Sequence, residues 1–331
     1  MHRNRVWCKI PWLMLVENAG LNMQVRKMKK RLLFIINIHS GKEAVKFKLA
    51  KLLDGFVAAG YEVITHTTQY AGDAALRSAE YAEEVDMIVC SGGDGTLNST
   101  LNGLMKSGHK VPVLFIPFGS TNDYAGSLNI PKDPMNAVER LEHGKILELD
   151  IGKFNDKYFD YVAAFGLLTD IAYTTDQNLK NMIGYGAYVV EVTKRLFKIP
   201  ILQMTIEGDN GISFTDGWFY GMITNSNQVG GLKNITGPDV KLDDGVFEVT
   251  LVRATRNPIE FIEVLTSIAR GTECKFVERF KTKHLHITSK EPIAWTLDGE
   301  PGGEHTEINI EVLQKAIQIV VPDETKKTSN N

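Results

Sequence analysis

A glycine-rich loop, Ser91–Thr96 (SGGDGT), is the strongest candidate for chemistry in this chain. Its glycines allow the backbone to turn sharply and to approach a ligand closely. A helix beginning here would direct its first N–H groups at an anion. Asp94 would repel a polyphosphate unless a divalent cation lies between them, so Mg²⁺ with a nucleotide is the simplest interpretation. The alternative is a plain turn in which Asp94 only caps a helix. The Walker-type pattern GxxxxGKS/T is absent from the loop.

A second loop, Pro117–Asp123 (PFGSTND), has the same character. Ser120 and Thr121 offer hydroxyl and N–H donors that suit a phosphate, and Asp123 offers a second carboxylate. The alternative is a helix N-cap with turn residues. Because both loops follow buried apolar runs, they predict one site at the carboxyl edge of a sheet.

The segments that must position these loops alternate between strand and helix patterns. From Met28 to about residue 148, short apolar runs are separated by amphipathic segments. This alternation predicts a parallel sheet with helices on both faces. The predicted strands are Arg31–Asn37, Tyr61–Thr68, Val85–Cys90 and Val111–Phe118, and the predicted helices are Lys42–Ala59, Asp73–Glu84, Leu97–Lys106 and Pro134–Gly144.

Strand patterns dominate after Leu149, which predicts a mainly antiparallel β domain, a sandwich or an open barrel. The predicted strands are Ile151–Ala164, Leu202–Glu207, Trp218–Thr224, Val246–Arg253, Lys283–Thr288, Ile293–Asp298, Glu307–Val312 and Ala316–Val321, with turns at Gly208–Gly211, Asp243–Gly245 and Pro301–Gly303 and helices at Asn181–Phe197 and Pro258–Arg270.

We therefore expect an α/β protein with two domains. A nucleotide-binding domain would cover residues 29–148, and a β-sandwich domain would cover residues 149–322. An extension at residues 1–28 would precede them, and a polar tail at residues 323–331 would follow. The last apolar run, Ala316–Val321, could return to either domain.

The composition is that of a globular protein, with 43% hydrophobic residues, 23% charged residues and a formal net charge of −3. This charge balance disfavours a nucleic-acid partner. Three widely spaced cysteines predict neither a disulfide framework nor a CxxC metal site. Residues 1–31 hold eight basic residues and one acid, but no apolar stretch of the roughly 20 residues that a membrane span needs. We expect this segment either to touch anionic lipid or to precede a natural start at Met28.

Taken together, the loops resemble the diacylglycerol kinase catalytic-domain family, and among its members the soluble bacterial lipid kinases most closely. Sphingosine, ceramide and NAD kinases are more distant relatives. The resemblance runs from about Lys30 to Val321 and implies an NAD-kinase-like α/β domain followed by a β-sandwich. It rests on Gly92–Thr96 (GGDGT) and Pro117–Asp123, and further on Ser40-Gly41, Gly72-Asp73-Ala74, Leu242–Gly245 and Leu297–Glu300.

The resemblance also implies an activity and assigns roles by position. The chain would transfer the ATP γ-phosphate to the hydroxyl of diacylglycerol, giving phosphatidic acid. Asp94 and Asp123 would hold the catalytic Mg²⁺ through water, and Glu300 would be the general base. The ATP site would be lined by Asn37, Ser40, Gly41, Thr68, Gly92, Gly93, Asp94, Gly95, Thr96, Asn98 and Ser120. A structural Mg²⁺ would bind at Lys241, Asp244 and Val246, where the alternative is a plain hairpin turn.

One departure and several alternatives remain. Ile38-His39 replaces the Pro-x of the family's first loop, so we expect weaker preorganisation of that loop but retained ATP binding. The acceptor could instead be a sphingoid or ceramide-like lipid, or NAD, and a silent nucleotide-binding regulator is the non-enzyme alternative. Retention of Asp94, Asp123 and Glu300 argues against the regulator. We expect a cytoplasmic protein that binds a membrane lipid and transiently attaches to the inner face of the membrane. The family likeness suggests a homodimer.

Overall fold

The computed structural model describes residues 30–38, 44–119, 122–166, 200–226, 228–229, 232–233, 240–255, 257–270 and 272–323. The predicted helix Asn181–Phe197, the extension at residues 1–28 and most of the polar tail lie outside these ranges. No helix within them is long and apolar enough to cross a membrane.

The N-terminal half alternates strands and helices. Strand β1 pairs in parallel with β2 and β3, and β3 pairs in parallel with β4. The elements are β1 (Lys30–Ile36), α1 (Ala44–Ala58), β2 (Tyr61–Thr67), α2 (Asp73–Tyr81), β3 (Met87–Gly92), α3 (Asp94–Ser107), β4 (Val113–Pro117), α4 (Asp123–Ser127) and α5 (Asn136–His143).

Helices cover both faces of these strands because both faces of β1 are apolar. Leu33 packs in one core cluster with Leu97 of α3, and Phe34, its neighbour, packs in another with Phe56 of α1. Successive residues of a strand point to opposite faces. A strand that is buried on both sides therefore has a continuous apolar run, which is what made β1 recognisable in the sequence.

The C-terminal half is rich in antiparallel strands. Helix α6 (Pro258–Arg270) has the predicted bounds, whereas the predicted strand Ile151–Ala164 is wrong, because that segment contributes to three strands. The strands are β5 (Lys145–Phe154), β6 (Lys157–Phe159), β7 (Val162–Gly166), β8 (Leu202–Gly208), β9 (Ser213–Thr224), β10 (Gln228–Val229), β11 (Leu232–Lys233), β12 (Phe247–Arg253), β13 (Val277–Thr282), β14 (His284–Leu297) and β15 (Glu300–Val321).

The long strand β15 connects the two halves of the chain. It pairs antiparallel with β14 and β5, and near its end Ile319 pairs in parallel with Val113 of β4. Thirteen of the described strands therefore form one sheet. The predicted strands Glu307–Val312 and Ala316–Val321 are parts of β15, separated by a register shift between Leu313 and Ile317.

The tight turn before β15 lies earlier than predicted. Asp298 and Gly299 connect β14 to β15 with positive φ angles of 52° and 82°, as in a type I′ hairpin, for which Asp-Gly is a preferred pair. The turn predicted at Pro301–Gly303 is wrong, because those residues lie within β15. Glu300 consequently begins a strand directly after a two-residue turn, where its backbone position is well defined.

Candidate active site

The ends of the first four strands bring several predicted site residues to one edge of the sheet. The Asn37 N–H donates to the Ser91 carbonyl at 2.9 Å, which joins the end of β1 to the glycine-rich loop. The Thr68 N–H donates to the Ile36 carbonyl at 2.9 Å. Thr68, Asn37 and both loops therefore share the edge where ligands bind in sheets of this kind.

The glycines of the two loops are required by the packing of the loops on each other. A Cβ on Gly119 would lie 2.7 Å from the Cα of Gly93, and a Cβ on Gly93 would lie 3.2 Å from the Cα of Gly119. A Cβ on Gly92 would collide with the side chain of Thr96. Close backbone contact between the two loops is thus a reason for glycine beyond the sharp turn and ligand approach inferred from the sequence.

The N-terminus of α3 lies at the centre of this edge. The helix begins at Asp94, directly after the N-cap residue Gly93 with φ −91° and ψ −175°, and this glycine has no side chain that could cap the helix. First-turn N–H groups that lack a capping side chain can bind an anion. Asn37 Nδ2 donates to Thr96 Oγ1 at 3.0 Å, which holds the end of β1 against this first turn.

Asp94 and Asp123 lie next to each other at the starts of α3 and α4. The Asp123 N–H donates to Asp94 Oδ2 at 3.2 Å, and Asp94 Oδ1 is buried without a hydrogen-bond partner among the described residues. Burial, with smaller contributions from the charges of Asp123 and Asp298, raises the pKa of Asp94 to about 6. A cation at this position would stabilise the ionised form and oppose that shift.

Asn122 is a structural residue of the second loop that the sequence analysis did not assign to the site. Its φ of 53° is left-handed, a conformation that asparagine adopts more readily than most residues. Its side chain accepts from the Gly119 N–H at 2.8 Å and donates to the Gly119 carbonyl at 2.6 Å. These two bonds tie Asn122 to Gly119, and the next residue, Asp123, lies beside Asp94.

Glu300 reaches this edge from the C-terminal half of the chain. The nearest atom to a Cβ built on Gly95 is Glu300 Oε1, at 3.2 Å. The β14–β15 hairpin therefore holds the Glu300 carboxylate against the first turn of α3. The predicted base, the glycine-rich loop and the pair of aspartates therefore lie around the start of α3, although about 200 residues separate Asp94 from Glu300 in the sequence.

Two buried carboxyl groups that the sequence analysis did not place in the site, Asp160 and Asp298, adjoin it. They are 0% and 4% exposed. Burial and the neighbouring Asp298 raise the pKa of Asp160 well above its usual range, and Asp94 adds to the effect. The Asp-Gly turn could have indicated Asp298, but Asp160 lies in a segment predicted as a single strand and gave no signal.

Asn98, which the resemblance assigns to the ATP site, connects α3 to these carboxyl groups. Its Nδ2 donates to Asp298 Oδ2 at 2.5 Å and to Asp160 Oδ1 at 3.3 Å. Asn102, one turn later, donates to the Tyr158 carbonyl at 3.0 Å and accepts from the Tyr158 N–H at 3.2 Å. One face of α3 is thus hydrogen-bonded to the C-terminal half.

The predicted structural metal site, Lys241, Asp244 and Val246, lies in the segment before β12. Asp244 Oδ1 accepts from the Val246 N–H at 3.3 Å, and Asp244 Oδ2 lies 3.6 Å from Lys281 Nζ. Lys281 Nζ also lies 2.9 Å from Glu248 Oε1. An ammonium group therefore already neutralises the one carboxylate of this set. Within the described ranges, no group of three or more His, Cys, Asp or Glu could hold a metal.

Three predicted ATP-site residues, Ser40, Gly41 and Ser120, lie outside the described residues. The remaining members of that set, with Asp123 and Glu300, surround the start of α3 or the strand ends beside it. Their roles toward ATP, Mg²⁺ and the acceptor stay predictions.

Comparisons with known proteins match both halves of the chain. The family model described as "Diacylglycerol kinase catalytic domain" matches residues 31–154, and that described as "YegS C-terminal NAD kinase beta sandwich-like domain" matches residues 167–321. The chain is 35% identical over 299 residues to a diacylglycerol kinase of Bacillus subtilis, covering 89% of this chain and 97% of the relative. It is 33% identical over 304 residues to a diacylglycerol kinase of Staphylococcus carnosus, covering 91% and 98%.

The fold is shared with a solved structure as well. A crystal structure titled as a diacylglycerol kinase from Bacillus anthracis superimposes with a TM-score of 0.70, at 23% identity, covering 90% of this chain and 98% of that one. The resemblance inferred from the sequence is confirmed, as are the mixed α/β class and the sandwich-like C-terminal domain.

Proposed function

The chain belongs to the diacylglycerol kinase catalytic-domain family, and from that premise we propose that it phosphorylates diacylglycerol with ATP and Mg²⁺. The products would be phosphatidic acid and ADP. The observation that carries the proposal is the position of Glu300 Oε1 against Gly95, at the helix start that also presents Asp94 and Asp123.

The proposed reaction needs a base beside a phosphate site, and the residues around the start of α3 offer both. The acceptor hydroxyl oxygen would form a bond to the γ-phosphorus as the bond from that phosphorus to the β–γ bridging oxygen breaks. Glu300 would accept the hydroxyl proton, and ADP would leave with the bridging oxygen. The α3 N-terminus, whose N-cap residue is a glycine, would bind phosphate oxygens through backbone N–H groups.

The acidic residues at the starts of α3 and α4 support a requirement for Mg²⁺. Asp94 Oδ1 is a buried carboxylate oxygen without a donor among the described residues, and burial raises the pKa of Asp94 to about 6. Oxygen donors of this kind suit Mg²⁺, so Asp94 and Asp123 would hold it. When bound, the ion would neutralise phosphate charge that these carboxylates would otherwise repel.

The structural Mg²⁺ at Asp244 is a weaker part of the proposal. A carboxylate with backbone carbonyls suits the ion chemically. Lys281 Nζ, however, lies 3.6 Å from Asp244 Oδ2, so Mg²⁺ would have to displace this ammonium group. We therefore propose competition between Lys281 and Mg²⁺ at this position.

The substrate defines where the protein would work. Diacylglycerol is a membrane lipid, so we propose transient attachment to the cytoplasmic membrane surface, with a second copy of the chain as partner. Flotation with anionic vesicles tests the first statement, and sedimentation at several protein concentrations tests the second.

The direct test is phosphate transfer from γ-labelled ATP, with and without Mg²⁺. Diacylglycerol, ceramide, sphingosine and NAD would be offered in parallel, the lipids in anionic mixed micelles. Glu300→Ala removes the proposed base. Glu304→Ala is the matched control, because Glu304 is exposed on the same strand and pairs with Ala294.

The proposal predicts label in phosphatidic acid, a rate loss of about 10²-fold or more in Glu300→Ala, and little change in Glu304→Ala. Label in ceramide, sphingosine or NAD would keep the kinase and reject diacylglycerol. Nucleotide binding without transfer to any acceptor would favour the silent regulator. Full activity in Glu300→Ala would reject Glu300 as the base while leaving the kinase in place.

A further inference from the structure

A buried hydrogen-bond network surrounds the turn that precedes Glu300. The Asp298 carboxylate accepts the N–H groups of Asp160, Tyr161 and Val162 at 2.8, 3.0 and 2.9 Å. The Asp298 N–H in turn donates to the Val162 carbonyl at 2.8 Å. Charge-assisted bonds of this kind are strong, and several bonds to one carboxylate fix its orientation. The turn is therefore held on the segment that joins β6 to β7.

This turn determines where the backbone of Glu300 lies, while the Glu300 side chain itself is exposed. Asp298 and Gly299 are its two central residues, and Glu300 pairs with Leu297 as the first residue of β15. Two residues with positive φ leave little freedom between the anchored carboxylate and Glu300. Any rotation of the turn would move the Glu300 carboxylate away from Gly95.

The network also reaches α3 itself, through Asn98. The Asn98 amide donates to Asp298 Oδ2 and Asp160 Oδ1, while Asn102 Nδ2 donates to Asn98 Oδ1 at 3.1 Å and so orients the amide. Asn98 lies three residues after Gly95, on the same helix that Glu300 approaches. The hairpin and the helix thus meet at two points, one turn apart.

We propose that Asp298 and Asn98 are positioning residues that hold the Glu300 carboxylate over the N-terminus of α3. This inference rests on the proposed function for its catalytic consequence. The base is placed by a hydrogen-bonded link between the two halves of the chain, and the Asn98 side chain forms part of this link.

Asp160 adjoins this network through its contacts with Asn98 and Asp298. It is fully buried, its Oδ2 has no hydrogen-bond partner in the described part of the chain, and burial raises its pKa.

The test combines kinetics with hydrogen exchange on the full chain. Asn98→Ala removes the link from α3 to the hairpin. Ser78→Ala is the matched control, because Ser78 is fully buried and its Oγ donates to the Thr100 carbonyl of α3 at 2.9 Å, away from the hairpin. We expect kcat to fall about 10-fold or more in Asn98→Ala, with KM for ATP changed less than about 3-fold, and neither to change in Ser78→Ala.

The double variant Asn98→Ala/Glu300→Ala distinguishes positioning from general damage. If Asn98 acts through Glu300, adding Asn98→Ala to Glu300→Ala costs no further activity. If the two losses multiply, or if Asn98→Ala keeps the full kcat, the proposal is overturned. Should Asn98→Ala fold poorly, Asn98→Ser serves the same comparison with a small polar side chain.

Hydrogen exchange tests the positioning role of Asn98 without an activity measurement. Amides of residues 298–303 should exchange faster in Asn98→Ala than in the wild type or in Ser78→Ala. Unchanged exchange there would overturn the positioning role. A wild type that transfers no phosphate would instead reject the proposed function, and the exchange result would still stand by itself.

Discussion

Gly95→Ala tests whether the first turn of α3 and Glu300 must approach each other this closely. A Cβ on Gly95 would lie 3.2 Å from Glu300 Oε1, against ordinary contacts of 3.4–4 Å. The carboxylate would have to move by a few tenths of an ångström. Gly95 is not among the glycines with positive φ, so alanine fits the backbone and favours the helix by up to about 1 kcal/mol.

We therefore expect Gly95→Ala to lose activity while keeping its stability. A displacement of about 1 Å in a catalytic geometry can cost about 10²-fold, so a shift of a few tenths should lower kcat about 10-fold. The free energy of unfolding should stay level or rise. Label transfer to diacylglycerol and thermal unfolding of the same preparation measure the two quantities.

Gly103→Ala, on the same helix, should behave in the opposite way. Its Cβ would collide with Ser78 Oγ and the Ala75 carbonyl of α2. Overpacking of this kind costs about 1–3 kcal/mol, while the clash involves none of the predicted catalytic residues. The melting temperature should fall, and the activity of each folded molecule should be retained.

Wild-type kcat in Gly95→Ala, or equal losses of stability in both variants, would refute the placement of Glu300.

Three further predictions follow from buried or paired charges. Asp94→Asn should abolish transfer yet raise the free energy of unfolding of the metal-free protein at pH 7, measured by denaturant, by up to about 3 kcal/mol. The pKa of Asp94 is raised from 3.8 to about 6 in the folded protein, and each unit of that rise corresponds to about 1.4 kcal/mol. Because the folded protein holds more protons than the unfolded chain between these two values, the gain should grow as pH rises from about 4 to 6 and disappear below pH 4. Lys281→Met removes the ammonium group beside Asp244. Adding Mg²⁺ should therefore raise the melting temperature of this variant more than it raises that of the wild type. An identical response in both proteins would reject competition at Asp244. Arg140→Ala should lower the free energy of unfolding, measured by denaturant, by about 2–4 kcal/mol. The reason is that the buried guanidinium donates to the Phe115 and Val320 carbonyls at 2.7 and 3.1 Å. A loss below about 1 kcal/mol would show that water replaces the guanidinium.

Local patterns predicted the elements around the site well. The continuous apolar runs of β1 and β4 and the bounds of α6 were found from periodicity and from proline and glycine signals. The glycine-rich loop and the second aspartate loop were found because backbone geometry and charge restrict which residues can stand there. Such features depend on neighbours within a few positions, so the sequence alone contains the information.

Predictions failed where pairing overrode local preference. Pro301–Gly303 has the composition of a turn, yet these residues lie in β15 because Asp298-Gly299 already closes the hairpin and β14 pairs across them. A turn residue can be retained in a strand when the register is set elsewhere. The division of residues 151–164 into three strands was hidden for the same reason.

The sequence by itself determined the family, the phosphate-binding loops and the residue types available for chemistry. Only the tertiary structure decided that Glu300 faces Gly95, that Asn98 is bonded to Asp298 two hundred residues away, and that Asp160 is buried among them. The reason is physical: glycine and aspartate in a tight loop are selected by local backbone geometry, whereas a hydrogen bond or a pKa depends on which groups the sheet brings together. An asparagine on a helix carries no sign of its partner until β14 and β15 place a carboxylate beside it.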